Sequence, residues 1–151
     1  MLDVLSNLVN QLFGFLKDNP MLIAGIFFLI KNVYAKSQPF PTVDYGHVSA
    51  ISSKTDFDKC IKEDGLAVVD FYATWCPPCR SAVPVYARMS ETYHAKGVRF
   101  YKVDVDKNRD ISGGENVSAM PTFKVYMKGK CVGTQQGWSE GAVKKLIDDV
   151  L

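Results

Sequence analysis

Cys76 and Cys79 carry the clearest chemical signal in the sequence. They lie in the run Trp75-Cys76-Pro77-Pro78-Cys79, where an apolar stretch ends and a helical pattern begins. One helical turn brings the two sulfurs close enough to form a disulfide, and the free N–H groups of a helix N-terminus favour a thiolate. The spacing therefore predicts a redox pair in which Cys76 is the nucleophile.

Other uses of this pair are less consistent with the sequence. A zinc site needs further ligands, and the remaining candidates are isolated from one another: Cys60, Cys131, His47 and His94. Haem attachment needs a histidine where Arg80 stands, and a structural disulfide across so short a loop removes little unfolded-state entropy. We expect no metal and no cofactor, and we expect Cys60 and Cys131 to be buried and inert.

The elements that must position the pair follow an α/β pattern from about Val43 onward. Leu66–Tyr72 is a continuous β-branched and aromatic run, which is typical of a central strand buried on both faces. Further strands are predicted over residues 47–51, 98–103, 122–127 and 131–135. Helices are predicted after Ser53, at the cysteine pair and after Ser139. Strands that alternate with helices and end in a hairpin predict a mixed sheet.

The N-terminal part of the chain has a different composition. Apolar residues between Leu2 and Leu16 recur at spacings of three and four, which predicts an amphipathic helix, and Met21–Ile30 contains no polar side chain. We expect a membrane-spanning anchor over about residues 20–36. The predicted organisation is an anchor and linker over 1–40 and a folded domain over 41–151.

The flanks of the apolar run bear on the location of the domain. Lys31 and Lys36 follow it, and basic residues that flank a membrane segment tend to lie on its cytosolic side. The two lysines therefore predict a cytosolic domain, on the mitochondrial outer or endoplasmic reticulum membrane. Val33-Tyr34-Ala35 resembles a signal-peptide cleavage site, so a secretory lumen is the alternative. A buried or self-associating helix is a further alternative. A formal net charge of +2 over 151 residues makes nucleic acid an unfavourable partner.

The folded part resembles the thioredoxin family in several motifs that occur in the family's order. These are Val69–Cys76, Pro84 within the following helix, Tyr101–Asp106, Met120-Pro121-Thr122, Gly129 and Gly137. The resemblance implies a thioredoxin fold, a mixed sheet covered by helices on both faces. It also implies a thiol–disulfide oxidoreductase that acts on disulfide-containing proteins.

The resemblance implies catalytic roles for five residues. Cys76 attacks a substrate disulfide, and Cys79 resolves the mixed disulfide to leave a Cys76–Cys79 disulfide. Asp70 interrupts an apolar strand, so burial should raise its pKa and suit it as the base for Cys79. Lys102 is the expected counter-charge on the adjacent strand, and Pro121 is expected to be cis.

A docking surface for substrate is expected around the pair. A cis peptide at Pro121 would hold the backbone of Met120 beside the sulfurs, where it can pair with an extended segment. The residues of this surface are Trp75, Pro77, Pro78, Met120, Gly137 and Trp138. For Trp138, simple core packing is an equal alternative.

Two features leave the physiological setting open. Pro77-Pro78 stands where most thioredoxins have Gly-Pro, so the electron donor is either a thioredoxin reductase or a low-molecular-weight dithiol, as in tryparedoxins. A lumenal oxidase or isomerase is the enzymatic alternative, and an adaptor with unused thiols is the non-enzymatic one. Asn116-Val117-Ser118 is an N-glycosylation pattern close to Met120, which mildly favours the cytosol.

Overall fold

The computed structural model describes residues 2–37, 39–41 and 46–151. Contacts within the chain divide it into two compact units, Met1–Pro39 and Phe40–Leu151. The first unit is helical. The second contains the cysteine pair and all the strands of the described residues.

The N-terminal unit consists of helices α1, Leu2–Lys17, and α2, Pro20–Ser37. The side-chain amide of Asn19 donates to the carbonyl oxygen of Phe15 at 2.7 Å, which satisfies one of the last carbonyls of α1. Pro20 then occupies the first position of α2, where its missing N–H is not needed. The two-helix pattern read from the sequence is therefore present.

The prediction of a membrane-spanning helix over about residues 20–36 is wrong. Among the described residues, no helix combines the length and the apolar character needed to cross a membrane. The apolar run Met21–Ile30 is about 15 Å long at 1.5 Å per residue, half the roughly 30 Å of a hydrocarbon core. The rest of α2 contains Lys31, Asn32 and Lys36.

The second unit is built on one five-stranded sheet. Its strands are β1, Val48–Ile51; β2, Leu66–Tyr72; β3, Arg99–Asp104; β4, Thr122–Met127; and β5, Lys130–Gln136. The spatial order is β1-β3-β2-β4-β5, with β1, β3 and β2 parallel and with β4 and β5 antiparallel to their neighbours. The predicted α/β class with a mixed sheet is confirmed.

Helices cover both faces of this sheet. They are α3, Lys54–Lys62; α4, Pro77–His94; α5, Arg109–Gly114; and α6, Glu140–Asp148. Alternation along β2 places Val69 and Phe71 in a core cluster with α3 and α5, and Val68 in a second cluster with α4 and α6. The central strand is therefore buried on both sides, as its composition predicts.

Helix α5 was not predicted from the sequence. It has six residues and ends in Gly113 and Gly114, which are poor helix formers. Ile111 is the only large apolar side chain that it contributes to the core. So short a segment presents no helical periodicity to detect.

Candidate active site

The N-terminus of α4 is fixed by the cysteine motif itself. Cys76 is the N-cap, in extended backbone geometry with φ −87° and ψ 113°, and Pro77 and Pro78 occupy the first two helical positions. Prolines are tolerated there because the first N–H groups of a helix have no helical acceptor. The Cys79 N–H donates to the Cys76 Sγ at 3.3 Å. The sulfur of Cys76 therefore lies at the positive end of the α4 dipole, where a thiolate is favoured.

A disulfide joins Cys76 and Cys79, so the structure represents the oxidised form. The two Cα atoms are 5.3 Å apart. Both cysteines are buried, whereas Trp75, Pro77 and Pro78 on either side of Cys76 are exposed, Trp75 to 61%. A partner that reaches Cys76 must therefore cover these three side chains.

Asp70 lies on β2 directly opposite Lys102 on β3. The Asp70 side chain is only 4% exposed, and its Oδ1 has no hydrogen-bond partner among the described residues. Burial raises the pKa of Asp70 to about 8, and the positive charge of Lys102 acts against that rise. Burial lowers the pKa of the half-buried Lys102, and the Asp70 charge opposes that change. The predicted burial of Asp70 is confirmed, and Lys102 occupies the register position beside it on β3. The catalytic roles of the two residues stay predictions.

The Asp70 carboxyl faces α4 across a narrow cleft. Val83 and Tyr86 of α4 line this cleft together with Asp70 and Lys102. Val83 lies one helical turn after Cys79, so the two share a face of the helix. The cleft between β2 and α4 therefore lies one helical turn from Cys79.

Tyr86 holds this arrangement together. Its hydroxyl oxygen is 3.1 Å from the carbonyl oxygen of Val68 and 2.9 Å from that of Tyr101, so it contacts both central strands. Burial, followed by the charge of Asp70, raises the pKa of Tyr86 well above its usual value. The hydroxyl therefore remains protonated and acts as a donor to the sheet.

The loop before β4 brings a second segment to the site. The Met120–Pro121 peptide bond is cis, as the resemblance implied. Thr122 pairs with Phe71, so this loop lies beside the end of the strand that leads to Cys76. The Gly137 N–H donates to the Pro121 carbonyl at 2.8 Å, and Gly137 has a φ of +76°, which favours glycine. Met120 is half-buried against the core.

Trp138 is placed differently from the other predicted surface residues. It is half-buried and packs against the cluster beneath α4 and α6, with its ring centroid 5.6 Å from that of Phe123. Trp138 thus packs against the core, as the alternative interpretation expects.

Other contacts and exposures differ from the sequence-based expectations. The sequence predicts Asp106 only as part of a strand motif, yet its Oδ2 accepts a hydrogen bond from the Trp75 Nε1 at 2.8 Å. Cys131 is exposed on the edge strand β5, so the expectation that it is buried is wrong, and Cys60 is only partly buried. An edge strand has one unpaired side, which leaves its residues less covered than those of a central strand.

The raised pKa of Asp70 predicts a pH-dependent stability. Between pH 4 and 8 the native state holds a proton that the unfolded state has lost, so rising pH destabilises the protein through this group. An Asp70→Asn variant lacks this effect. The free energy of unfolding of Asp70→Asn, relative to that of the wild type, should therefore increase over that range by up to about 1.4 kcal/mol per pH unit.

Urea unfolding of the oxidised protein at several pH values, followed by tryptophan fluorescence, measures this difference. Asp64→Asn, at an exposed carboxyl, is the matched control and should give a nearly constant offset. A stability difference for Asp70→Asn that does not change between pH 4 and 8 would contradict the burial account.

Comparison with known proteins identifies the family. The thioredoxin family model matches residues 48–149. Thioredoxin 1 of Plasmodium falciparum is 44% identical over 101 residues, which are 67% of this chain and 95% of that protein. A crystal structure of a Malassezia sympodialis thioredoxin matches with a TM-score of 0.66 at 36% identity, covering 69% of this chain and 90% of that one.

A further match is informative because it is also oxidised. The crystal structure of mitochondrial thioredoxin 3 from Saccharomyces cerevisiae, in its oxidised form, matches with a TM-score of 0.65 at 37% identity. It covers 70% of this chain and 98% of that one. With a redox-active cysteine pair at the start of α4, the chain belongs to the thioredoxin family and is a thiol–disulfide oxidoreductase.

Proposed function

We propose that this protein reduces disulfide bonds in other proteins through a Cys76/Cys79 dithiol cycle. The observation that carries the proposal is the Cys76–Cys79 disulfide at the N-terminus of α4, with the cis Pro121 loop beside the strand that leads to it. The Cys76 thiolate attacks a substrate disulfide, forms a mixed disulfide and displaces one substrate thiolate. Cys79 then attacks the Cys76 sulfur, releases the second substrate thiolate and closes the intramolecular disulfide. Two electrons pass from the protein to the substrate.

Asp70 supplies the base for the second step. Cys79 must lose a proton before it can attack. With a pKa raised to about 8, roughly a tenth of the Asp70 carboxyl is ionised at pH 7, and this ionised form takes up the proton. Asp70 must be ionised before this transfer, and the positive charge of Lys102 lowers the free-energy cost of that buried carboxylate. In this role Asp70, Lys102 and Cys79 act together in resolution, and Cys76 acts in attack.

Substrate binds over the exposed surface around Cys76. Trp75, Pro77 and Pro78 provide apolar contact area, and Asp106 fixes the Trp75 indole through the 2.8 Å hydrogen bond. Backbone groups of Met120, beside the cis bond, pair with an extended substrate segment. Gly137 supports this loop through its bond to the Pro121 carbonyl.

The reduced form is regenerated by a dithiol donor, for which we propose a thioredoxin reductase. A low-molecular-weight dithiol is the alternative donor, because Pro77-Pro78 changes the surface that the donor contacts. A lumenal oxidase or isomerase would need a reduction potential closer to the roughly −120 to −180 mV of strong thiol oxidants than to the −270 mV of thioredoxin. An adaptor would bind partners without turnover.

Substitution of each cysteine separates the two steps of the cycle. With insulin as the disulfide substrate and dithiothreitol as the donor, Cys76→Ser should reduce insulin only at the background rate of the donor. Cys79→Ser should still attack and should accumulate as a mixed disulfide, visible by mass spectrometry. Cys131→Ser, which removes an exposed free thiol, is the matched control and should keep full activity. Undiminished turnover by Cys76→Ser would refute the proposal.

We also propose that the N-terminal unit attaches this reductase to a membrane surface without crossing the membrane. Apolar side chains of α2 are exposed along its apolar run, among them Met21 at 86%, Phe27 at 67% and Phe28 at 66%. No polar side chain interrupts this run, so the helix is apolar on all sides. An apolar groove on a protein would cover only one side of it and would leave the rest in water. A lipid phase covers all its sides, and about 15 Å of helix reaches into one leaflet.

The cytosolic face is the side we propose for the domain. Lys31 and Lys36 follow the apolar run and favour the cytosolic side. Asn116 is exposed in the segment before Met120, so a glycan added to it in a secretory lumen would crowd the substrate surface. Cytosolic proteins do not receive such a glycan.

Membrane attachment and sidedness can be measured together on organelle membranes from cells that make the full-length chain. The chain should float with the membranes, and protease should digest its domain without permeabilisation. Phe27→Asp places a charge in the apolar run, costs about 3 kcal/mol in a lipid interior, and should reduce flotation roughly a hundredfold. Val132→Asp, the same kind of change at an exposed position of β5, should float normally. A domain protected from protease, or equal flotation of Phe27→Asp, would contradict this proposal.

A further inference from the structure

Phe40 lies outside the region matched by the thioredoxin family model, which begins at residue 48. Its ring nevertheless stacks on that of Tyr72, with the centroids 5.0 Å apart and an angle of 27° between the planes. The guanidinium carbon of Arg80 lies 5.7 Å from the Phe40 centroid, within cation–π range. Tyr72 ends β2, and Arg80 directly follows Cys79. Phe40 thus contacts both elements that position the redox pair.

The same ring forms a wall of the cleft that contains Asp70. The other walls are Val48, Tyr72, Val83, Tyr86 and Lys102. The cleft encloses about 10 Å³, the space of roughly one water molecule. Of the residues that line it, Phe40 alone lies outside a helix or strand. The sheet and α4 hold the other walls in place, whereas Phe40 is held by side-chain packing against Tyr72, Arg80 and the adjoining core cluster.

Access of water to this cleft matters because of what Asp70 lacks. Its carboxyl is almost fully buried, and Oδ1 has no hydrogen-bond partner among the described residues. The titratable groups that line the cleft with it are Lys102 from β3, Tyr86 from α4 and Tyr72 from its own strand, while β1 presents the apolar Val48. Any additional water would therefore be the main new source of hydrogen bonds for the ionised carboxylate.

We propose that Phe40 is a positioning residue that closes the Asp70–Lys102 cleft and restricts water access to the Asp70 carboxyl. Phe40, the first residue of the second unit, thereby becomes part of the proton-transfer apparatus of the redox site. This role in catalysis rests on the proposed disulfide reductase cycle, whereas the closure of the cleft can be measured without turnover.

The direction of the effect follows from the cause of the Asp70 shift. Burial raises the pKa of Asp70, so removal of the Phe40 ring, which admits water, should lower it. A Phe40→Ala variant should titrate Asp70 at a pH lower by at least about half a unit, a threefold change in proton affinity. Phe40→Tyr retains the ring and should titrate like the wild type.

Carbon-13 NMR of protein labelled at aspartate carboxyl groups follows the titration directly. The Asp70 signal is assigned by its absence from an Asp70→Asn sample. Phe15→Ala makes the same change at a phenylalanine that is 58% exposed in the N-terminal unit, and it should leave the midpoint unchanged. All measurements use the full-length chain, and a native near-ultraviolet circular dichroism spectrum establishes that each variant is folded.

The outcomes distinguish this inference from the proposed function. An unchanged Asp70 midpoint in folded Phe40→Ala would overturn the role of Phe40, even if insulin reduction were normal. If Phe40→Ala does not fold, Phe40→Leu should give a smaller downward shift, and an unchanged midpoint there would likewise overturn it. A shifted midpoint in a protein that reduces no disulfide would refute the reductase proposal and would leave the closure of the cleft established.

Discussion

The burial of one carboxyl group on the central strand is the constraint on which the redox site depends. Asp70 occupies a position of β2 whose neighbours on the same face, such as Val68, are core residues. An ionised carboxylate there costs free energy, which is why its pKa rises to about 8 and why it suits proton transfer near neutrality. The parallel register of β2 and β3 places Lys102 opposite it and keeps that cost limited.

The rest of the site is arranged by the ends of the strands around this group. β2 leads into the Cys76 cap and so fixes where α4 begins, while β4, paired with β2, begins at the cis Pro121 loop. The resolving cysteine lies one turn before Val83, which lines the Asp70 cleft. A single sheet thus sets the positions of Cys76, Asp70 and the segment that we propose binds substrate.

Local signals made much of this site predictable from the sequence. The cysteine spacing, the prolines after Cys76 and an aspartate within an apolar strand each have a short-range physical meaning, so the redox pair and the buried Asp70 were foreseen. The long-range contacts were not. The bond from Trp75 to Asp106 and the packing of Phe40 on Tyr72 join segments far apart in the chain, and no sequence periodicity reports them.

The errors have physical causes of the same kind. The membrane-spanning prediction extended an apolar run that is only about half as long as a bilayer core. The expectation that Cys131 is buried came from the general behaviour of free cysteines, whereas its exposure follows from its place on an edge strand. Helix α5 was not predicted because a helix of six residues with a single large apolar side chain shows no helical periodicity of apolar residues.

The central claim is that the buried Asp70 carboxyl takes the proton from Cys79 when the mixed disulfide is resolved. Rapid-quench mass spectrometry of one turnover at pH 7, comparing the wild type with Asp70→Asn, tests it most directly. We predict that the mixed disulfide on Cys76 forms at the normal rate in Asp70→Asn but disappears about a hundredfold more slowly, the usual size of a general-base contribution. Resolution of the mixed disulfide at the wild-type rate would contradict the claim.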